Sequence, residues 1–156
     1  MKNAFIFITS LVFLIGCNQI SEPTEMTVQL YYYNPSLDQD ADGNILCSKA
    51  GLQPVEREIP LTDNYIEDTI LLLLKGELTA EEKTEGITTE YPLEGLTLEN
   101  STLEKGLLTL EFSDPNNKTG GGSCRVGILW LQIEETAKQF SEVEKVKFKP
   151  EELFQP

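Results

Sequence analysis

Apolar and polar positions alternate over residues 26–33: Met26, Val28, Leu30 and Tyr32 fall on one side, and Thr27, Gln29, Tyr31 and Tyr33 on the other. A period of two is that of a strand with one buried face. Residues 55–59 predict a second, short strand, stopped by Pro60. The period then lengthens. Ile66, Ile70, Leu73 and Leu74 form one stripe of a helix that Thr62 or Asp63 would cap and Gly76 would end. Residues 96–100 and 107–112 predict two strands joined by a turn that includes Gly106, with Leu108, Leu110 and Phe112 facing inward. Over residues 124–140, Val126, Leu129, Trp130, Ile133, Ala137 and Phe140 recur at helical spacing. Residues 143–149 close the pattern with Val146 and Phe148 inward and Lys145 and Lys147 outward.

Three stretches break this pattern. Residues 34–53 are polar, with Pro35, Gly43 and Gly51; residues 77–92 are acidic and threonine-rich, with one helical turn expected at Thr79 to Glu82; residues 113–123 end in three glycines. The order is β-α-β-β-α-β with an additional short strand and a long acidic loop. It predicts an α+β sandwich in which two helices cover one face of an antiparallel sheet. Tyr31, Tyr33, Thr109, Lys145 and Lys147 are expected on the open face.

The first residues change the setting. Lys2 precedes an apolar run over residues 4–15, which ends on Gly16 and Cys17. Charge, short apolar stretch and small residue in that order make a secretory signal peptide, and the run is too short for a spanning helix, which needs about 20 residues. Leu14-Ile15-Gly16-Cys17 resembles the bacterial lipoprotein box, which implies cleavage before Cys17 and lipidation, palmitate included, on that cysteine. The chain then divides into a signal peptide (1–16), a lipidated N-terminus and tether (17–25), one domain (26–149) and a tail (150–156). The expected location is the extracytoplasmic side of the cell membrane.

Charge and cysteine usage narrow the partners. With 26 acidic against 12 basic residues, the chain carries −14, and losing the signal makes it one unit more negative. Such a surface repels nucleic acid and anionic headgroups, so the membrane is reached through lipid. Histidine is absent, which removes the commonest general base and metal ligand. With Cys17 assigned to lipid, Cys47 and Cys124 remain as an even pair in an oxidising compartment. They form a disulfide or stay as two buried thiols.

Candidate chemistry is sparse. Asp38, Asp40 and Asp42 sit at positions one, three and five of a calcium-type loop, with Gly43 at six and Asn44 following, although Lys49 stands where a bidentate glutamate belongs. Alternate carboxylates would converge on one hard cation; the alternative is a solvated acidic turn. Three glycines before a helix suggest an anion cradle only weakly, lacking the glycine-lysine fingerprint. Glu81 with Glu82, Glu134 with Glu135, and Glu151 with Glu152 would serve a hydrolase only if two acids faced each other across a cleft. Ile128 and Leu131 lie off the main helical stripe. They pack beneath the long loop or, with Tyr31 and Tyr33, form a partner face.

From about Thr27 to Phe148 the chain resembles a GerMN domain, the module of spore-germination and sporulation lipoproteins. The resemblance rests on Val28-Gln29-Leu30-Tyr31-Tyr32, Val55-Glu56-Arg57, Leu72-Leu73-Leu74-Lys75-Gly76, Tyr91-Pro92-Leu93-Glu94-Gly95 and Leu107 through Ser113, and on the passage from Ile133 to Val146. It implies a non-enzymatic module that binds or assembles other envelope proteins and needs no cofactor. A calcium-binding lipoprotein and a carboxylate-based envelope hydrolase are the alternatives.

Overall fold

A computed structural model describes residues 24–155, so the expected signal peptide and Cys17 lie outside the described residues. The alternating segment forms strand β1 (Glu25–Tyr33), which pairs antiparallel with β2 (Leu52–Pro60) from Glu25↔Pro60 to Tyr33↔Leu52. Helix α1 (Tyr65–Leu74) follows, burying Ile70 and Leu73. Its N-cap is Asn64, two residues past Thr62. Thr62 still organises the entry, accepting from the Asn64 N–H at 3.1 Å and donating to Asp68 at 2.5 Å. Gly76 ends the helix at φ 63°, where a Cβ would collide with the Tyr91 carbonyl. The short helix α2 (Ala80–Thr84) carries a capping box between Thr79 and Glu82.

Strands β3 (Thr97–Glu104) and β4 (Leu107–Ser113) form a hairpin turned by Lys105 and Gly106, both at positive φ. Helix α3 (Ser123–Lys138) then carries the chain across to β5 (Lys145–Lys149), which pairs parallel with β4. The fold class is α+β, as the pattern predicts, but the strands form two sheets instead of one antiparallel sheet: β1-β2 and β3-β4-β5.

The reason lies at the second edge of β1. The Gln139 side chain accepts from the Gln29 N–H at 2.8 Å and donates to the Gln29 carbonyl at 2.7 Å. Thr136 accepts from the Tyr31 N–H at 3.0 Å, and Tyr33 exchanges two backbone bonds with Thr88. Side chains from the end of α3 thus satisfy backbone groups that another strand would otherwise take.

The core is contributed by both sheets and by α3, through Val126, Leu129, Ile133 and Ala137. Phe112, Phe148 and Phe154 stack beside the half-buried Trp130, with Phe154 supplied by the tail that follows β5. Among the described residues no helix is long and apolar enough to cross a membrane.

Candidate interaction surface: the stapled loop

Residues 34–51 leave the far end of β1 and return to β2 without a strand of their own. Apolar burial does not hold this loop; polar groups do. Asn34 is buried, donates to the Glu85 carbonyl at 2.9 Å and accepts from the Ser36 hydroxyl at 2.6 Å. Asp38, 1% exposed, accepts from the Tyr33 hydroxyl at 2.6 Å and from the Ser48 N–H and hydroxyl at 2.5 and 2.6 Å. These donors, Ser48 first and then Tyr33, hold the Asp38 carboxyl below its usual range. Burial, then the bond to Asp38, pushes the Tyr33 hydroxyl up to about 12. Gly51 must be glycine for space, since a Cβ there would strike the Tyr33 ring and lie 2.8 Å from the Asp38 Cβ.

Above this base a miniature hairpin forms. Gln39 bridges Ile45, the Asp40 N–H donates to the Asn44 carbonyl at 3.0 Å, and the Leu46 N–H donates to the Asp38 carbonyl at 2.9 Å. The Asp40 carboxylate accepts from the Asn44 side chain at 2.9 Å and from the Asn44 and Asp42 N–H groups at 2.8 and 2.9 Å. Gly43 turns the tip at φ 85°.

The expected calcium set is therefore not assembled. Asp38 points its oxygens inward to Tyr33 and Ser48, Asp40 spends its own on the turn, and Asp42 stands in solvent. Among the described residues no group of three or more acidic or cysteine side chains is placed to hold a metal ion. Asp38 and Asp40 shape the loop, a role that spacing alone does not distinguish from ligation.

Two fastenings tie the loop to α3. Cys47 and Cys124 are joined by a disulfide with 5.2 Å between their Cα atoms, and Lys49 pairs with Glu135 at 2.5 Å. Cys124, Ile128, Leu131 and Glu135 are spaced four, three and four apart, so one helical stripe runs along the loop's anchoring side. Ile128 and Leu131 are half-buried in that stripe.

The expected open face does not form. Tyr33 is 4% exposed and built into the loop's base, while Tyr31 is half-buried with its hydroxyl donating to Gln29 at 3.1 Å. Thr109, Lys145 and Lys147 belong to the other sheet. In each of the three glutamate pairs at least one member is held in an ion pair: Glu82 by Arg57, Glu134 by Lys138, Glu135 by Lys49 and Glu151 by Lys147.

What the loop exposes was not singled out from the sequence. Leu37, Ile45 and Leu46 are 55%, 50% and 56% exposed, more than any other large apolar side chain among the described residues. The Leu46 N–H to Asp38 carbonyl bond brings the Leu37-Asp38 backbone close to that of Leu46. Two adjacent apolar residues in an otherwise polar turn were the available signal. Asp40 and Asp42 lie in the turn that precedes Ile45.

A family model described as Germane, sporulation and spore germination, matches residues 29–152. Among solved structures, the tandem GerMN domains of the sporulation protein GerM from Bacillus subtilis align over 88% of this chain and 43% of theirs, at 19% identity and a TM-score of 0.53. The chain thus spans less than half of that tandem structure. The first GerMN domain of the same protein aligns over 81% of this chain and 86% of its own, at 22% identity and a TM-score of 0.43. No curated protein matches the sequence.

Proposed function

From a chain that belongs to the Germane family of sporulation and spore germination, we propose a lipid-anchored, extracytoplasmic protein-binding module that presents its stapled loop to another envelope protein. The observation that carries this reading is the exposed patch of Leu37, Ile45 and Leu46 on a loop immobilised by a disulfide, an ion pair and a buried carboxylate. Holding a loop rigid before binding lowers the entropy lost on association, which favours a binding role over an incidental one. The acidic turn at Asp40 and Asp42 suits a partner with an apolar pocket rimmed by basic side chains.

The chain's entry into β1 and the loop lie at opposite ends of one hairpin. The Thr24 carbonyl accepts from the Leu61 N–H at 2.9 Å where the chain enters β1, and the loop leaves the other end of that nine-residue strand. At about 3.4 Å per residue the two are roughly 30 Å apart, so lipid on Cys17 would hold the entry end and leave the loop free to reach outward.

The test is photo-crosslinking in intact membranes from a reactive residue at position 46, with position 103 as control. A protein adduct specific to position 46 that disappears with Leu37→Asp is expected. Lipid adducts alone, or equal adducts from both positions, would contradict the reading. Cys17→Ala is expected to release the chain from the membrane fraction.

A further inference from the structure

On the opposite flank of α3 the tail builds a second concavity. After β5 the chain turns back, with the Leu153 N–H donating to the Pro150 carbonyl at 3.2 Å. Phe154, at φ 58°, inserts its ring 5.0 Å from Phe148 and 5.8 Å from Phe112. This plug fixes the tail as a wall beside β5, the outer strand of its sheet. Between wall and helix lies a recess of about 550 Å³ lined by Trp130, Lys147, Phe148, Glu151, Glu152 and Gln155. That volume is in the range of small-molecule sites.

Its chemistry is mixed in a particular way. Trp130 forms an aromatic floor whose orientation is set by Phe148, 4.7 Å away, and by its indole N–H, which donates to Glu134 at 3.3 Å. The rim carries the Lys147–Glu151 ion pair at 2.6 Å, an acceptor in Glu152 and an amide in Gln155 that both donates and accepts. An anionic ligand meets the Glu152 carboxylate on a chain of net charge −14. A cation leaves the Gln155 donor without use. A wholly apolar ligand strips water from every rim group and returns nothing. A ring with one apolar C–H face and a perimeter of hydroxyls satisfies both parts.

We propose that this recess is a saccharide-binding site, in which Trp130 receives the C–H face of a pyranose and Glu152 and Gln155 bond its hydroxyls. The inference is independent of the loop and of the lipid anchor. Trp130 is the single tryptophan of the chain, so its emission reports on the recess alone. Full-length protein in detergent is titrated with chitotriose and with maltotriose, and binding is followed by Trp130 emission and by calorimetry. A saturable change with at least one sugar is expected, weakened about fivefold in Glu152→Ala and in Gln155→Ala, the loss of one hydrogen bond each. Leu46→Asp should bind as the native chain does. Both substituted side chains are exposed, so the fold is retained, which circular dichroism checks. No saturable signal by either method with either sugar, or binding unchanged in both variants, would overturn the assignment.

Discussion

The core beneath α3 and the loop over residues 34–51 are ordered by opposite means. In the core, apolar side chains from both sheets and α3 exclude water, and the burial of Leu110, Ile133 and Phe148 does the stabilising. In the loop the apolar side chains point outward, and order comes from Asp38, Asp40, a disulfide and an ion pair. A segment that keeps its apolar residues exposed needs polar or covalent fastening to stay in one shape. That fastening leaves those residues available to something else.

The contrast can be broken at its strongest point first. Phe148→Ala removes the ring that touches Phe112, Trp130 and Phe154, and should cost about 4 kcal/mol in a denaturant titration. Replacing Cys47 and Cys124 together by serine should cost about 4 kcal/mol, since the link closes 77 residues of chain. The core signature in near-ultraviolet circular dichroism should persist in native conditions. Gln139→Ala leaves the Gln29 N–H and carbonyl without their partner and should cost about 2 kcal/mol; amide exchange at Gln29 should rise with it.

Gradual titration separates acid from alkaline loss. Hydrogen bonds from Arg57 hold the Glu82 carboxyl below its ordinary 4.5, and those from Ser48 and Tyr33 lower Asp38. Both groups bind protons more tightly unfolded, so their stabilisation is complete above pH 4.5 and fades as pH falls through the lowered folded values. Tyr33 is raised from 10 to about 12, so its contribution is complete below pH 10 and lost between 10 and about 12. Melting temperature against pH should show a plateau bounded on both sides, and Tyr33→Phe should remove part of the alkaline limb. Smallest of all, Leu46→Asp should change stability by about 0.5 kcal/mol or less, because that side chain is already in water.

Periodicity made the core legible. The alternation at Val28, Leu30 and Tyr32 and the helical stripe from Val126 to Ala137 are both present, because each records a buried face directly. Strand pairing is a different matter. Nothing local in Gln139 or Thr136 announces that they will occupy the edge of β1, over 100 residues away in sequence, and so divide the sheet. The loop was open to two readings in a similar way. Aspartates at alternate positions satisfy both a cation and a hydrogen-bonded turn, and only the direction of the Asp38 side chain decides between them. Tyr33 sits in phase with the outward residues of β1, yet the loop folds over it. Phe154 lies in a stretch too short to show a period, and only its contacts place it in the core.

Polar fastening, above all, keeps the loop tip ordered. Native-state hydrogen exchange at the Leu46 amide, which donates to the Asp38 carbonyl at 2.9 Å, measures that directly. The Leu46 amide should be protected in the native chain and lose protection in Asp38→Ala, while the Leu110 amide in β4 keeps its own. A Leu46 amide that exchanges freely in the native chain, or one indifferent to Asp38→Ala, would contradict it.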